Sequence, residues 1–139
     1  MTYEEWFFNQ AKLHKNVMNK LENYSVDEIL DYFKFENMVK NEPDFCPLYK
    51  ENKKCHDMED LNCYLCACPH FRFNDTGFKK EGEKILYSFC SINSKKGAKF
   101  EGDDYIHHDC SACTIPHRVK YIKKDFSEDW LTCMKDVKP

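Results

Sequence analysis

Cysteine is the residue type that points most directly to chemistry in this chain, with nine thiols in 139 residues. Two pairs have Cys-x-x-Cys spacing, Cys63 with Cys66 and Cys110 with Cys113. A two-residue spacer lets both sulfurs turn toward one metal ion from a tight loop. One such pair gives modest support for a metal site, and a second pair at the far end of the cysteine-bearing segment makes the signal strong.

The first pair belongs to a denser run, Cys-x-x-Cys-x-Cys-Pro, which ends at Cys68 and Pro69. Three thiols so close together exceed what a tetrahedral zinc site usually takes from one loop. Dense runs that end in Cys-Pro are also found around iron–sulfur clusters, although the ferredoxin spacing C-x₂-C-x₂-C-x₃-C-P is not matched here. The run therefore favours an iron–sulfur cluster slightly over zinc and leaves both open.

All cysteines except Cys133 are candidate metal ligands, enough for two four-thiolate sites or for one such site and a second with mixed Cys/His ligation. Two histidines, His56 and His117, are candidates for further ligands or for hydrogen-bond partners of the ligands. The spacing leaves open which cysteines share a site. The candidate thiols are Cys46, Cys55, Cys63, Cys66, Cys68, Cys90, Cys110 and Cys113.

Cys133 and three further histidines are expected to have no part in a site. Cys133 has no partner nearby in the sequence and is expected to fill space in a C-terminal helix. The dipeptide His107-His108 is expected in a solvated loop. His14 stands in the middle of a helical pattern and is expected on the protein surface.

Charge and hydropathy exclude several classes of partner. The 21 basic and 24 acidic side chains give a net charge of −3, so no overall attraction to nucleic acid is expected. The longest apolar stretches, such as Trp6–Phe8, are too short to span a membrane, and the N-terminus has no signal-peptide pattern. A cytoplasmic protein is therefore expected. In that reducing compartment thiols bind metal or do redox chemistry more often than they form disulfides.

Three functions agree with these residues. The first is a non-catalytic metal protein with iron–sulfur clusters or zinc at one or two sites, which would pass electrons to a protein partner or serve a partner enzyme as an accessory. The second is a structural zinc module for protein interaction. The third is a thiol enzyme with a reactive cysteine beside a base, as at Cys55-His56. Metal ligation explains more of the cysteines at once, so a non-enzymatic role is favoured.

The first third of the chain contains no cysteine and has a helical pattern of apolar residues. Ser25 and Glu28 form a capping-box pattern, at which a second helix is predicted to begin. We therefore expect residues 3–37 to form a helical hairpin, or one long helix with a break near Ser25. The predicted apolar face consists of Trp6, Phe7, Ala11, Leu13, Val17, Met18 and Leu21.

After Cys46 the periodic signal is weak. The best strand candidate is Lys84–Phe89, with Tyr105-Ile106 as its expected partner, and a short helix is predicted after His117. A region with so little periodicity does not easily build a hydrophobic core of its own. A metal bound by thiolates is one way to stabilise such a unit.

The sequence thus predicts an α+β protein. An N-terminal helical region, residues 1–40, precedes a small irregular domain over residues 41–125 that is stapled by metal and contains a short β-hairpin. A C-terminal helix is expected over residues 126–139.

The cysteine motifs resemble those of the cysteine-rich small domain family of metal-binding proteins. Its hallmarks are a Cys-His dipeptide, an Asn-Cys-x-x-Cys-x-Cys-Pro loop, a lone middle cysteine and a closing Asp-Cys-Ser-x-Cys-x-x-Pro-His. In this chain they stand at Cys55-His56, at residues 62–69, at Cys90 and at residues 109–117, so the resemblance covers roughly residues 38–125. It implies metal binding. Members also occur fused to cobalamin-biosynthesis enzymes, with an iron–sulfur role proposed there, so a place in cobalamin metabolism is a further expectation.

Overall fold

Three helices form the N-terminal part of the protein. The computed structural model describes residues 2–66, 68–73, 80–110, 112–124 and 126–137. Thr2 and Ser25 cap the first two helices, and in each capping box a glutamate three residues later accepts the hydrogen bond of the cap's backbone N–H. The predicted helix start at Ser25 is therefore confirmed. The helices are α1 (Tyr3–Asn19), α2 (Val26–Tyr32) and α3 (Phe35–Asn41).

The rest of the chain alternates short strands with helical turns. The strands are β1 (Phe71–Phe73), β2 (Lys80–Glu81), β3 (Lys84–Leu86), β4 (Ser88–Cys90), β5 (Ala98–Glu101) and β6 (Tyr105–Asp109). Two 3₁₀ helices span Pro47–Glu51 and Ile115–His117, and two further α-helices are α4 (Val119–Lys124) and α5 (Trp130–Cys133). The α+β class is confirmed. None of the described helices has the length and apolar character needed to cross a membrane.

The strands form two small sheets. β1 and β4 pair antiparallel, and a four-stranded sheet has the order β2-β3-β6-β5. The predicted strand over Lys84–Phe89 is divided at Tyr87, so that β3 and β4 belong to different sheets. The predicted partner is confirmed, because β3 pairs with Tyr105 and Ile106 of β6, in parallel. The short β-hairpin is formed by β2 and β3, where Gly82 turns the chain with φ +63°.

One hydrophobic core joins the helices to the cysteine-bearing region. Tyr64 has no exposed surface, and its ring packs edge-on against Phe33 with the centroids 4.9 Å apart. On the other side the Tyr64 ring stacks on Phe126 at 5.1 Å. Aromatic pairs of this geometry add to the gain from burial. The cysteine-bearing region therefore shares in the core through its own residues, among them Leu61, Cys63, Tyr64, Leu65 and Phe73.

Asn62 fastens the same loop to the helices by hydrogen bonds. Its side chain is fully buried, its amide Nδ2 donates to the Leu30 carbonyl at 2.7 Å, and its Oδ1 accepts the Tyr64 N–H at 3.0 Å. The Asn62 backbone N–H donates to the His117 carbonyl at 3.1 Å. A buried polar side chain is tolerated when it is hydrogen-bonded. Here the bonds to Leu30 and His117 join separate segments, and the bond to Tyr64 fixes the turn of the loop itself.

His14 lies in the core, so its expected surface position is wrong. The residue is 1% exposed, and its ring packs against Tyr64 at 4.6 Å and Phe33 at 5.0 Å. The buried face of α1 contains Phe7, Gln10, His14 and Val17 at helical spacing. Because Gln10 and His14 are polar, the pattern of apolar residues did not include them in the buried face of α1.

Replacing Asn62 by alanine is expected to lower the free energy of unfolding by about 2–4 kcal/mol, because the Leu30 carbonyl and the Tyr64 N–H lose their partner inside the core. Urea unfolding followed by circular dichroism measures the change. Asn16→Ala, an exposed position of α1, is the matched control and should stay within about 0.5 kcal/mol of wild type. Equal losses in both variants would contradict the role given to Asn62.

The burial of His14 is expected to make folding pH-dependent. Burial lowers the pKa of His14 from 6.5 to about 4, so between these values the unfolded state binds the proton and the folded state resists it. The stability contributed by neutral His14 is complete above pH 6.5 and declines as the pH falls toward 4, by up to about 3 kcal/mol. Unfolding of wild type and His14→Leu, measured from pH 7.5 to 4.5, isolates this contribution. A wild-type pH slope identical to that of the variant would refute it.

Candidate metal centres

The eight candidate thiols come from loops and strand ends on one side of the core. Cys46 precedes the 3₁₀ helix Pro47–Glu51, and Cys63 follows Asn62 directly, so the buried amide positions the loop that carries it. Cys90 ends β4, opposite Phe71 of β1. The remaining five lie in loops, Cys55, Cys66 and Cys68 before β1 and Cys110 and Cys113 after β6.

Four of these thiols form what we term the first thiol group. Burial raises the pKa of Cys66 well above its ordinary value, and the charges of Cys63, Cys46 and Cys55 raise it further. Burial also raises the pKa of Cys63 to about 12, with Cys55 and Cys46 contributing. Because charges in a protein influence one another only over short distances, the four sulfurs share one neighbourhood. The first thiol group consists of Cys46, Cys55, Cys63 and Cys66.

The other four thiols form the second thiol group. Burial raises the pKa of Cys110 to about 12, followed by the charges of Cys68, Cys113 and Cys90. Burial raises the pKa of Cys68 to about 11, with Cys113 and Cys90 adding to it. Burial and the neighbouring thiols both disfavour the thiolate form, whose charge a bound cation would compensate. The second thiol group consists of Cys68, Cys90, Cys110 and Cys113.

The boundary between the groups runs between Cys66 and Cys68. Their Cα atoms are two residues apart and so at most about 7 Å from each other. Cys68 has the left-handed φ of +62°, which is uncommon for a residue with a side chain. The left-handed conformation therefore occurs at the residue where the chain passes from the first thiol group to the second.

Among the described residues, neither thiol group brings three of its sulfurs within 4.8 Å of one another. Four thiolates bound to one zinc at about 2.3 Å lie about 3.8 Å from each other. In the part of the chain that the structure describes, which includes all nine cysteines and all six histidines, only Cys55, His56 and His117 bring three ligand atoms within 4.8 Å of one another.

Two imidazoles approach Cys55. His56 Nδ1 lies 3.0 Å from the Cys55 sulfur, and His117 Nε2 lies 3.8 Å from it. The opposite nitrogen of each ring donates to a backbone carbonyl, that of Cys110 for His56 and that of Asn62 for His117. Burial lowers the pKa of His117 to about 4. At His117, where burial favours the neutral ring, the nitrogen facing Cys55 therefore carries a lone pair, as in histidines that bind metal.

Tyr49 gives a test of whether the first thiol group suits a metal. Its hydroxyl is buried next to Cys63, and burial followed by the Cys63 charge raises the tyrosine pKa. Among the described residues, however, the hydroxyl has no hydrogen-bond partner of normal geometry. A metal-bound Cys63 thiolate is a stronger acceptor than a neutral thiol. The unpartnered donor thus fits a group in which Cys63 is deprotonated.

The structure brings together all eight cysteines that the sequence predicts as ligands, in two sets of four, and their binding of metal stays a prediction. Cys133 lies apart in α5, where its sulfur is 3.6 Å from the Ser127 carbonyl oxygen. The dipeptide His107-His108 was expected in a solvated loop, but it lies half-buried in β6. The sequence offered no signal for Tyr49, because a lone tyrosine outside any motif does not indicate a neighbour of a ligand.

No relative of known chemistry was found for the residues of the two thiol groups. Comparisons with protein-family models, with curated proteins and with solved structures found no match to the chain. The resemblance to the cysteine-rich small domain family therefore stays an expectation from the motifs.

Proposed function

We propose that this chain is an iron–sulfur protein in which the first and the second thiol group each hold one cluster. The observation that carries the proposal is the division of eight cysteines into two sets of four, in which no three sulfurs among the described residues lie within 4.8 Å of one another. Four thiolates are the usual donors of both [2Fe–2S] and [4Fe–4S] clusters.

The position of Cys68 also supports two clusters. In two-cluster bacterial ferredoxins, the cysteine before the proline of the cysteine run binds the other cluster, not the one held by the preceding cysteines. Here Cys68 precedes Pro69 and lies in the second thiol group, while Cys63 and Cys66 lie in the first. The division is the same although the spacing is shorter.

Electron transfer to a protein partner is the role that agrees with this arrangement. Bound clusters accept and donate single electrons, at potentials set by ligation, hydrogen bonds to sulfur and exposure. Cys63 and Cys113 are buried, whereas Cys55 is exposed and gives the first thiol group an edge at the surface. The Tyr49 hydroxyl beside Cys63 supplies a hydrogen-bond donor. The first thiol group thus has an accessible corner at Cys55, through which a partner could exchange electrons with a cluster.

One observation favours zinc as a second candidate for the first thiol group. Cys55, His56 and His117 hold three donor atoms within 4.8 Å, with the ring tautomers fixed by backbone carbonyls. A thiol and two imidazoles are borderline-soft donors that suit zinc. In this case the protein would be a zinc-binding scaffold at that group.

Anaerobically purified protein is expected to be brown, with broad visible absorption and about eight iron atoms per chain for two four-iron clusters, or about four for two two-iron clusters. Iron, zinc and acid-labile sulfide are measured on the same sample. The matched control is Cys133→Ser, because Cys133 lies outside both thiol groups, and it should keep the full iron content. A colourless protein with stoichiometric zinc would contradict the iron–sulfur proposal and support the zinc scaffold.

The division between Cys66 and Cys68 is tested by changing each of them to serine. Cys66→Ser is expected to lose the centre of the first thiol group and Cys68→Ser that of the second, so each variant keeps about half of the iron. Electron paramagnetic resonance of the reduced samples should show different signals in the two variants. Loss of the same signal in both would refute the grouping, even if the protein binds iron.

A further inference from the structure

A cavity of about 1050 Å³ lies next to both thiol groups. Cys55 and Cys66 of the first group and all members of the second line one part of it, and the beginning of α1, with Tyr3 and Trp6, lines another. The volume is at the upper end of the range for small-molecule sites. The cavity therefore extends well beyond the thiols themselves.

Rings of five residues form a continuous wall of this cavity. The Tyr3 ring lies 5.6 Å from Phe71 and 5.7 Å from His107, and the Tyr3 hydroxyl is 2.6 Å from His107 Nδ1. His107 stacks on Tyr87 at 5.1 Å with the planes 10° apart, and Tyr105 lies 5.5 Å from it. Since Phe71 pairs with Cys90, the wall continues to the second thiol group. We term these five residues the ring wall.

Two of the four glycines of the chain leave space for rings that line the cavity. A Cβ atom at Gly102 would overlap the Tyr105 ring, and one at Gly97 would come within 2.7 Å of the His108 ring. Both rings line the cavity. The glycines therefore allow Tyr105 and His108 to lie close against the backbone, which fixes the shape of the cavity.

The charge of the lining excludes anionic ligands. Among the described residues that line the cavity there is no lysine or arginine, and Asp104 is the one carboxylate. Phosphates and carboxylates are recognised by such cations, bidentate arginine above all. The polar groups that remain, such as the imidazoles of His70, His107 and His108, can hydrogen-bond to an uncharged polar ligand.

We propose that this cavity binds an uncharged, planar heteroaromatic compound that stacks on the ring wall. Aromatic rings attract one another beyond the gain from burial, and the ring wall places five rings beside one cavity. Heteroatoms on the ligand would use the hydrogen-bonding imidazoles. The proposal goes beyond the metal centres and does not depend on which metal they hold.

Lumiflavin and flavin mononucleotide form a matched pair of probes, because they share the ring system and only the second carries a phosphate. Isothermal titration calorimetry on the full chain, purified without oxygen, measures both. Lumiflavin is expected to bind and flavin mononucleotide to bind at least about tenfold more weakly, since no cation of the lining meets the phosphate. Absence of lumiflavin binding, or equal binding of both probes, would overturn the proposal.

Variants of the ring wall test the location. Gly102→Ala, which displaces the Tyr105 ring, and Tyr105→Ala, which removes it, are each expected to weaken lumiflavin binding about tenfold. Tyr24→Ala removes an exposed tyrosine outside the cavity and should leave the affinity unchanged. Equal loss in Tyr24→Ala, or none in Tyr105→Ala, would refute the site.

Metal content, measured on every sample, separates this proposal from the proposed function. Metal-free protein that binds lumiflavin would refute the iron–sulfur function and leave the ring site standing. Iron-loaded protein that binds no lumiflavin would refute the ring site alone. Circular dichroism confirms that each variant is folded.

Discussion

The buried amide of Asn62 is the constraint on which the candidate site depends. The amide side chain ties the cysteine loop at Tyr64 to α2 at Leu30, and the Asn62 backbone N–H ties the same loop to the 3₁₀ helix at His117. The His117 ring in turn donates a hydrogen bond to the Asn62 carbonyl, so two hydrogen bonds connect these residues. An unpaired polar group in this core would be costly, so these hydrogen bonds hold the loop in one position. The same bonds thereby fix the positions of the cysteines that follow Asn62 in the loop.

The loop that holds the cysteines serves two environments at once. Tyr64 points into the aromatic core against Phe33, while Cys66 joins the first thiol group. The hydrophobic core is thus formed on one side of the loop and the candidate metal chemistry on the other. A protein of this size buries only a small hydrophobic core. Packing of Tyr64 and metal ligation by Cys66 would therefore stabilise the same segment.

Local signals in the sequence predicted more than long-range ones. The capping box at Ser25 and the choice of eight cysteines rest on spacing within a few residues, and the structure contains the first and gathers the second. The assignment of Cys68 to the second thiol group depends on its backbone conformation and on Cys90 and Cys110, which lie far along the chain. No local pattern contains that information.

Two further features escaped the sequence for physical reasons. His14 was misplaced because tertiary packing accepts a neutral imidazole on a helix face where an apolar pattern expects hydrocarbon. The pairing of β3 with β6 was predicted, but its parallel direction was not, because the two strands are separated by two others in the chain. Propensity shows where a strand can form and gives no direction for a distant partner.

The positions of the two tryptophans have a practical consequence. Trp6 lines the cavity, and Trp130 donates its indole N–H to the Cys66 carbonyl at 3.3 Å. These are the only tryptophans of the chain, so its indole emission arises entirely beside the thiols and the ring wall. A metal or ligand bound in this region would therefore lie near every indole of the chain, so intrinsic fluorescence is a natural label-free probe of its occupancy.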